Sequence, residues 1–407
     1  MSAELDVLQE RGFIHDVSDR EGLETALADR LTFYSGFDPT GPSLHVGHLI
    51  SIMAMRRLQE FGHRPLALVG AGTARIGDPS GKTSIRPMLD EGTIDANAAA
   101  IRAQLLHFLN LDGAAGKAVD NKNWLLDLRW IPFLREIGRH FSVNQMLAAE
   151  VYKLRLETGL SFIEFNYMLL QAYDFLHLFR TEQCLLYVGG SDQWSNSLAG
   201  VDLIRRVEAK KAYTLVTPLL TTASGQKMGK TEQGAVWLDA GLTPPYDYYQ
   251  FWINTEDKDV ERFLALYTEL PMDEVRLLGR PEGADLRESK GRLAWEATAI
   301  AHGVEAADAA QEASQALFAG AGGVSAAPTY ELSRDAAEDI TAVELFIRAG
   351  LCGSRNDARR LIEQGGAAID SERVAGLEQV VDMGRLEAGV LLRAGKKRYM
   401  RVVLSKS

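Results

Sequence analysis

The sequence predicts an α/β protein: a first part built on a parallel β-sheet, then a helical segment, then a small module of helices and strands. Three observations predict this. Residues 31–61 have the pattern of a strand, a Gly/Pro-rich turn and a helix with one apolar face. Apolar runs at 65–70 and 184–190 end in glycine, which is typical of buried parallel strands. Beyond a Gly/Ala-rich stretch at 319–328 come two short helical patterns and a strand-rich tail.

Composition limits the class of protein and its partners. The chain has 407 residues, 46% hydrophobic and 24% charged, which is ordinary for a globular protein of two or three domains. A net charge of −11 argues against a protein that coats nucleic acid, so any basic surface must be local. The two cysteines make no disulfide framework, and neither a targeting segment nor a membrane span is evident. We therefore expect a cytoplasmic protein.

The segment Phe33–Arg57 joins the first predicted strand to its helix through a turn rich in glycine and proline. The helix begins between His45 and His48, and Gly47 lets another group approach its backbone. A helix N-terminus placed after a strand suits a phosphate, and two imidazoles there can hydrogen-bond phosphoryl oxygens. The pattern is also compatible with a plain helix start or a pair of metal ligands. The metal interpretation is weak because no second cluster of histidine or cysteine accompanies it.

A second loop follows the strand predicted at 65–70. Its glycines, Gly77 and Gly81, are separated by three residues, whereas a phosphate-binding P-loop needs four. Pro79 also removes one of the backbone N–H groups that such a loop uses. We therefore interpret this segment as a mobile surface loop from which Lys82 and Arg86 can still reach a phosphate.

The segment 161–179 is apolar nearly all round and predicts a buried helix. Tyr167, Gln171 and Asp174 are four and three residues apart, so they share one face of that helix. Buried polar side chains need partners, which leaves two interpretations: a satisfied core network or the polar floor of a pocket. After the next strand, Asp192 stands at a strand-to-helix junction, where it can cap the helix or bind a ribose.

A glycine-rich loop further along carries two lysines. Lys227 and Lys230 bracket Met228 and Gly229, and Thr231 follows. The loop is too rich in glycine to form a regular helix or strand. A lysine pair of this kind is either solvated or in contact with a phosphate, and the residues alone leave both interpretations open.

The last third of the chain is helical from Pro244 to about residue 318, and the stretch at 319–328 is the clearest linker. The C-terminal strands carry a basic cluster in which no acidic residue occurs. Its members are Arg393, Lys396, Lys397, Arg398, Arg401 and Lys406. With Tyr399 among them, these side chains favour binding to RNA.

These motifs resemble those of the bacterial tyrosyl-tRNA synthetases, a family of class I aminoacyl-tRNA synthetases. The resemblance rests on five segments in the same order as in that family: FDPTGPSLHVGH, YMLLQAYDF, VGGSDQW, KMGKT and YYQFWINT. The C-terminal module is similar to the S4 RNA-binding domain. The resemblance covers nearly the whole chain.

The resemblance implies four segments: a Rossmann-type catalytic domain at 1–243 with a helical insertion around 121–165, an α-helical anticodon-side domain at 244–320, a linker at 321–335, and an S4-like domain at 336–407. The implied activity is that of a tyrosine–tRNA ligase. L-Tyrosine and ATP would give tyrosyl-adenylate and pyrophosphate, and the tyrosyl group would pass to the 3′-terminal ribose of tRNA(Tyr). A homodimer is implied, with Mg²⁺ carried by ATP, no structural metal and no membrane.

The resemblance also assigns roles to individual residues. Tyr34 and Asp174 would bind the phenol of tyrosine, while Asp78, Tyr167 and Gln171 would hold its amino group. The ATP and adenylate site would comprise Gly36, Asp38, His45, Gly47, His48, Gly190, Asp192, Gln193 and Lys230. Lys82, Arg86, Lys227, Lys230 and Thr231 would close over pyrophosphate and, with the two histidines, form the catalytic set. The tRNA would contact Arg355, Arg359, Lys396, Lys397 and Arg398.

Some residues depart from the family pattern. Met228 and Gly229 differ from the general Lys-Met-Ser-Lys-Ser run, although neither lysine is affected. Tyr187 stands where many members have glutamine, so a polar contact near the amino acid is either missing or replaced. The predicted hairpin GGAAIDSERV lacks the usual Asn-Gly turn.

Three other functions fit parts of this sequence. A tryptophanyl-tRNA synthetase would have the same class of site, but Tyr34, Asp174 and the C-terminal module favour tyrosine. A non-catalytic RNA-binding protein with this fold would not need the two histidines and the lysine pair. A P-loop phosphotransferase is excluded by the glycine spacing.

Overall fold

The computed structural model describes residues 2–80, 88–219, 221–223, 225, 228, 230–231, 234–280, 286–318, 329–370, 372–395 and 398–405. It divides into two compact units, Met1–Val304 and Glu305–Ser407. The predicted class is confirmed, because the first unit holds a mainly parallel sheet with helices and the second is a small α+β unit. The narrower domain limits drawn from the sequence stay predictions.

The first unit contains eight of the described strands and fifteen of the described helices. The strands are β1 (Asp16–Val17), β2 (Thr32–Phe37), β3 (Arg64–Val69), β4 (Lys117–Asp120), β5 (Cys184–Gly190), β6 (Tyr213–Thr217), β7 (Lys230–Thr231) and β8 (Gly234–Ala235). The helices are α1 (Ala3–Glu10), α2 (Arg20–Leu27), α3 (Val46–Glu60), α4 (Glu91–Phe108), α5 (Lys122–Leu125), α6 (Trp130–Glu136), α7 (Val143–Ala148), α8 (Glu150–Thr158), α9 (Phe162–Phe165), α10 (Tyr167–Glu182), α11 (Trp194–Glu208), α12 (Pro245–Ile253), α13 (Val260–Tyr267), α14 (Met272–Gly279) and α15 (Leu286–His302).

The main sheet has the order β1-β6-β5-β2-β3-β4, with every neighbour pair parallel except β1 with β6. From β2 the chain builds outward through β3 to β4, and β5 then returns to the other side of β2 and is followed by β6. The strand order therefore reverses between β2 and β5. In open parallel sheets a ligand binds in the crevice beyond the carboxyl ends of such a strand pair.

Helix α10 explains how one face of the sheet is covered. It packs against both β5 and α11, and its residues are therefore buried on most sides. Phe175 and Leu176 join Leu66 of β3 and Leu203 of α11 in one apolar cluster. The helix ends at Gln183, whose φ of 55° closes it in the left-handed conformation. The polar residues on the remaining stripe of α10 are thereby held rigidly at the sheet.

Five short helices, α5–α9, lie between β4 and α10. A buried ion pair holds the last two together: Arg155, 1% exposed, donates to both carboxylate oxygens of Glu164 at 3.1 Å. Glu164 also accepts from the backbone N–H of Ser161 and so completes the N-terminal cap of α9.

The second unit begins within α16 (Val304–Phe318) and contains a five-stranded sheet in the order β11-β10-β12-β13-β9. Its other elements are β9 (Thr329–Leu332), α17 (Arg334–Ala337), α18 (Ala342–Arg348), α19 (Arg355–Glu363), β10 (Ala367–Ile369), β11 (Glu372–Arg373), α20 (Met383–Ala388), β12 (Val390–Ala394) and β13 (Arg398–Leu404). The predicted hairpin forms without an Asn-Gly turn because Asp370 adopts a φ of 48°. Within the described ranges, no helix has the length and apolar character needed to cross a membrane.

Candidate active site

A cavity of about 330 Å³ opens beyond the carboxyl ends of β2 and β5, where the strand order reverses. It brings together every residue predicted for the tyrosine site and all those predicted for the ATP site except Lys230. The first set is Tyr34, Asp78, Tyr167, Gln171 and Asp174, and the second is Gly36, Asp38, His45, Gly47, His48, Gly190, Asp192 and Gln193. These residues come from well-separated parts of the chain, so the fold itself assembles the site.

The other predicted residues are not among the described residues that line this cavity. Lys82, Arg86 and Lys227 lie outside the described residues, and Lys230 and Thr231 are described only as the backbone of β7. Arg355, Arg359 and Arg398 belong to the second unit, in which Lys396 and Lys397 lie outside the described ranges.

One end of the cavity is closed by buried side chains around Asp174, which is 1% exposed. Its Oδ1 accepts from Trp124 Nε1 at 2.7 Å, and its Oδ2 accepts from Asn121 Nδ2 at 2.9 Å. Burial raises the pKa of Asp174 to about 8, against the lowering effect of these two hydrogen bonds. A carboxyl with this pKa is largely protonated at neutral pH.

Tyr34 stands at the same end, on β2, with its ring 5.1 Å from those of Phe175 and Tyr187. Its side chain is 1% exposed, and its hydroxyl has no hydrogen-bond partner among the described residues. Burial raises the pKa of this phenol, so it stays protonated. A buried hydroxyl without a protein partner is costly, and one that lies beside a carboxyl suits a ligand that carries its own hydroxyl.

Hydrogen bonds continue from Asp174 towards the opposite end. Asn121 Nδ2 also donates to Thr73 Oγ1 at 2.9 Å, and Thr73 Oγ1 donates to Asp38 Oδ1 at 2.7 Å. The hydroxyl of Tyr167 donates to the other oxygen of Asp38 at 2.8 Å. This series of contacts fixes the two acids relative to each other.

The opposite end is acidic. Asp78 accepts from the Ser80 backbone N–H at 2.9 Å and from Gln193 Nε2 at 2.7 Å, while Asp38 and Asp192 complete the carboxylates that line the cavity. Burial, followed by the charges of Asp38 and Asp78, raises the pKa of the Tyr167 phenol. Several carboxylates around a small volume favour a cationic group or the hydroxyls of a ribose.

Asp192 does not cap the following helix. The N-cap position of α11 is held by Gln193, which makes no side-chain cap, and Asp192 lies in the preceding 3₁₀ turn. Of the two interpretations drawn from the sequence, the helix cap is therefore wrong, and Asp192 instead lines the cavity.

The two histidines cap α3 reciprocally. His45 Nδ1 accepts from the Gly47 N–H at 3.0 Å, and His48 Nδ1 accepts from the His45 N–H at 3.1 Å. Gly47 is required because a Cβ there would lie 2.8 Å from the His45 ring. Since both Nδ1 atoms accept, each neutral ring carries its proton on Nε2. The two rings stack with centroids 3.9 Å apart, and both residues line the cavity.

The segment that follows the lysine loop is hydrogen-bonded to the segment that carries His45 and His48. Val46 N donates to Val236 O at 3.0 Å, and Leu238 N donates to Leu44 O at 2.8 Å. Between them, the Trp237 ring lies 6.1 Å from that of His45. The strand pair β7–β8 directly precedes this contact. The segment that directly follows the lysine loop is therefore a neighbour of the histidine segment.

Comparison with known proteins settles the family. The profile described as "tRNA synthetases class I (W and Y)" matches residues 26–319. The chain belongs to this family of class I tRNA synthetases. A second profile, "Tyrosine--tRNA ligase SYY-like C-terminal domain", matches residues 321–402.

The curated relatives and the solved structures to which this synthetase is similar carry consistent names. The chain is 50% identical over 420 residues to "Tyrosine--tRNA ligase" of Syntrophus aciditrophicus, covering 97% of each protein. It is 49% identical over 403 residues to the Clostridium tetani protein of the same name, with 98% of each covered. A C-terminally truncated mitochondrial tyrosyl-tRNA synthetase of Aspergillus nidulans has a similar structure. Its TM-score is 0.71 at 31% identity, over 78% of this chain and 95% of that one.

Sequence analysis missed several side chains of this synthetase's cavity. Asn121 and Trp124 hold Asp174, and Thr73 links Asn121 to Asp38. A signal for Asn121 existed, because it directly follows β4, and polar residues at the carboxyl ends of parallel strands tend to face the ligand. Trp124 and Thr73 gave no comparable local signal.

Proposed function

We propose that the cavity beyond β2 and β5 binds L-tyrosine with its phenol at Tyr34 and Asp174 and its carboxylate towards the α3 N-terminus. The enzyme is a tyrosine–tRNA ligase that uses ATP as its other small substrate. The observation that carries the orientation is the unpartnered, buried hydroxyl of Tyr34 beside Asp174. A phenol placed there can accept from Tyr34 and share a proton with Asp174, which supplies the missing partner.

The amino group of tyrosine then falls at the acidic end. Asp78 supplies a negative charge, while the oxygens of Tyr167 and Gln171 supply further acceptors; all three line the cavity. Asp78 is held in place by Ser80 and Gln193 before any ligand arrives. An ammonium is therefore received by groups that need not reorganise.

ATP occupies the side of the cavity formed by Gly36, Asp38, His45, Gly47, His48, Gly190, Asp192 and Gln193. The glycines permit close approach of the nucleotide, and Asp192 has a carboxylate suited to a ribose hydroxyl. The Nε2–H groups of His45 and His48 donate hydrogen bonds to the phosphate oxygens. Their tautomer is already set by the caps of α3, so they donate rather than accept.

In the first step a carboxylate oxygen of tyrosine bonds to the α-phosphorus of ATP. The bond from that phosphorus to the bridging oxygen breaks, and pyrophosphate leaves with the electron pair. A carboxylate is already a nucleophile at neutral pH, so no general base is required. What remains is positioning and stabilisation of charge on the phosphoryl oxygens, which the two histidines provide. We assign the leaving pyrophosphate to Lys82, Arg86, Lys227, Lys230 and Thr231.

Magnesium enters with the phosphates of ATP in this proposal. Within the described parts of the chain, no group of three or more His, Cys, Asp or Glu side chains could hold a metal ion. Asp38 and Asp78 have both oxygens engaged by protein donors, which does not fit a direct ligand. Mg²⁺ commonly takes most of its ligands from substrate phosphates and water.

In the second step a hydroxyl of the 3′-terminal ribose of tRNA(Tyr) attacks the mixed anhydride, and AMP leaves.

We assign tRNA binding to the second unit, through Arg355, Arg359, Lys396, Lys397 and Arg398. Arg355 and Arg359 are exposed one turn apart on α19, and Arg398 is exposed at the start of β13. Arg398 acts on the pKa of Cys352, so it lies close to the start of α19. These guanidinium groups can therefore meet one stretch of phosphate backbone.

We further propose that the enzyme is a cytoplasmic homodimer joined through the segment of short helices. Among the described residues, six large apolar side chains that are at least half exposed fall between 126 and 162. The most exposed, Phe162, is 71% accessible and starts α9, which the Arg155–Glu164 ion pair holds in place. Exposed apolar side chains on a rigid segment indicate a surface that another protein covers.

Sedimentation of the full chain tests the dimer. Phe162→Glu is expected to shift the protein towards the monomer, whereas Leu277→Glu, a comparably exposed apolar position in α14, leaves the sedimentation coefficient unchanged. A wild-type protein that sediments as a monomer at micromolar concentration would contradict the proposal.

Pyrophosphate exchange with each of the twenty amino acids tests the activity and the substrate together. Exchange is expected with tyrosine far above the other nineteen. Exchange driven by tryptophan would instead support the other member of the family. No exchange with any amino acid would leave only a non-catalytic role and overturn the proposal.

A further inference from the structure

The turn that leads from β2 to the two histidines is not held by regular secondary structure. Residues 38–44 belong to no helix or strand, and Pro39 and Pro42 have no backbone N–H to donate. Leu44, the last residue before the N-cap His45, is nevertheless fully buried. A buried backbone N–H needs a hydrogen-bond partner, and the partner of this one comes from another part of the chain.

Gln104, on α4, supplies that partner. Its Oε1 accepts from the Leu44 N–H at 2.8 Å, and its Nε2 donates to the Ser43 hydroxyl at 2.9 Å. The Ser43 hydroxyl in turn donates to the Leu44 carbonyl oxygen at 2.7 Å. Because a backbone N–H can only donate, the orientation of the Gln104 amide is fixed. One side chain therefore holds the backbone on both sides of the Ser43–Leu44 peptide bond.

A second side chain of α4 holds the start of the same turn. Asn97 is buried and donates from Nδ2 to the Pro39 carbonyl oxygen at 3.2 Å. It lies seven residues before Gln104, about two helical turns away on the same face of α4. The helix itself packs against β3 and β4, and Arg102 donates to the Ala118 carbonyl oxygen of β4 at 3.2 Å. Helix α4 is thus a support that fixes the turn to the sheet.

The contact with Leu44 bears directly on both histidines. The next backbone N–H along the chain is that of His45, which His48 Nδ1 accepts, and the His45 ring accepts from Gly47. A displacement of Leu44 therefore displaces the N-cap of α3 and both imidazole rings with it. A misplacement of about 1 Å at a reacting centre can slow a reaction about 100-fold.

We propose that Gln104 is a positioning residue for adenylate formation: by holding the backbone of Leu44, it sets the places of His45 and His48. The inference rests on the proposed function, in which these histidines donate to the phosphoryl oxygens. Gln104 is not among the residues that line the cavity, so it acts through the backbone alone. Its loss should therefore slow adenylate formation and leave tyrosine binding, at the other end of the cavity, unchanged.

The test uses Gln104→Met in the full-length enzyme, which keeps the length of the side chain and removes its hydrogen bonds. We expect single-turnover formation of tyrosyl-adenylate to slow about 10- to 100-fold, with a change of less than about 2-fold in the dissociation constant for tyrosine. Gln59→Met is the matched control. Gln59 likewise accepts from a backbone N–H, that of Asn110 at 3.0 Å, and donates to the Ala115 carbonyl oxygen at 3.2 Å, but it does not touch the turn.

Gln104→Glu separates the hydrogen bonds from the packing. A carboxylate still accepts from the Leu44 N–H, and its second oxygen can accept from the Ser43 hydroxyl. We expect this variant to form adenylate within about 3-fold of the wild-type rate. Should Gln104→Met fail to fold, Ser43→Ala replaces it, with an expected slowing of about 3- to 10-fold because one contact of the amide is lost.

A double-mutant cycle then shows whether Gln104 acts through the histidines. In the His48→Ala background one of the two donors is already absent, so Gln104→Met should slow the step less than it does in the wild type. Three results would each overturn the inference: a rate for Gln104→Met like that of Gln59→Met, an equally slow Gln104→Glu, or fully additive effects in the cycle. If His48→Ala itself leaves the rate unchanged, the histidine assignment of the proposed function fails, and the role of Gln104 fails with it.

Discussion

The two ends of the cavity are built in different ways. At the Tyr34 end the walls are buried side chains of the core, and burial is the largest cause that raises the pKa of Asp174 to about 8. At the His45 end the binding groups are donors at the start of a helix and in glycine-rich turns. At the desolvated Tyr34 end, a ligand that lacks a hydroxyl leaves buried polar groups of the protein unpaired, which costs binding free energy. This end therefore discriminates between ligands. Donors at a helix start contribute most when charge appears on the phosphates, and so act on the rate.

Removal of a donor at the His45 end should have the largest effect. We expect His48→Ala to slow single-turnover formation of tyrosyl-adenylate by roughly 100- to 1000-fold, or about 2.7–4 kcal/mol, because one donor to the developing charge is lost. The dissociation constant for tyrosine should change by less than about 2-fold. His15→Ala, a histidine away from the cavity, is the control. The prediction would be contradicted if His48→Ala bound tyrosine more weakly but formed tyrosyl-adenylate at the wild-type rate.

At the other end, the raised pKa of Asp174 should appear as a pH dependence of stability. The folded protein keeps a proton on Asp174 up to about pH 8, whereas the unfolded chain releases it near the ordinary value of 3.8. Between these values the folded state binds more protons, so the free energy of unfolding falls as pH rises, by at most about 1.4 kcal/mol per unit. In Asp174→Asn this contribution is absent.

Urea unfolding at pH 5, 6.5 and 8 measures this difference. All six tryptophans precede residue 300, so their fluorescence follows the first unit alone. We expect a flatter pH dependence in Asp174→Asn, whatever the absolute loss from a poorer fit to Asn121 and Trp124. Asp112→Asn, at an exposed position, should keep the wild-type slope. Parallel curves for the wild type and Asp174→Asn would mean that the carboxyl is ionised in the core.

A smaller effect is expected from Tyr34→Phe, which removes only the unpaired hydroxyl. The ratio of kcat/KM for tyrosine to that for phenylalanine should fall about 3- to 10-fold in pyrophosphate exchange. Tyrosine loses one hydrogen bond to its phenol. Phenylalanine no longer leaves the Tyr34 hydroxyl unpaired, because that hydroxyl has been removed. Tyr173→Phe, in α10 but not among the residues that line the cavity, provides the control. A constant ratio would show that the phenol is recognised elsewhere.

The smallest effect concerns the second unit, whose arginines are exposed and screened by salt. Arg359→Ala should reduce the slope of log Kd for tRNA against log salt concentration by about one, while tyrosine activation is unchanged. Arg348→Ala, whose guanidinium is already paired with Glu344, should alter the slope less. Equal slopes for all three proteins would remove Arg359 from the interface.

Much of the fold and the cavity could be predicted because the signals are local. Apolar runs that end in glycine gave β3 and β5, and a helix without a polar face gave α10. Parallel strands end at one edge of a sheet, so residues that follow separate strands lie close together, and here they line one cavity. The role of each of these residues in the reaction stays a prediction.

Other features depend on contacts that no local pattern encodes. Whether an imidazole nitrogen faces the helix or the cavity follows from a backbone hydrogen bond, so the reciprocal caps of His45 and His48 could not be foreseen. The partners of Asp174 lie some 50 residues earlier in the chain. Tyr187 could be recognised as unusual, but its contact with the Tyr34 ring requires the pairing of β2 with β5.

The reciprocal caps of α3 also restrict which residues could replace the histidines. Each ring must accept a backbone N–H with one atom and donate with another, a combination that lysine and arginine lack and that aspartate and glutamate cannot offer when ionised. Carboxamides do offer it. Asparagine suits an N-cap position, which His45 occupies, and glutamine suits the third helical position, which His48 occupies. A natural variant or a redesigned enzyme that carries His45→Asn or His48→Gln would therefore keep both the helix start and a donor for the phosphates.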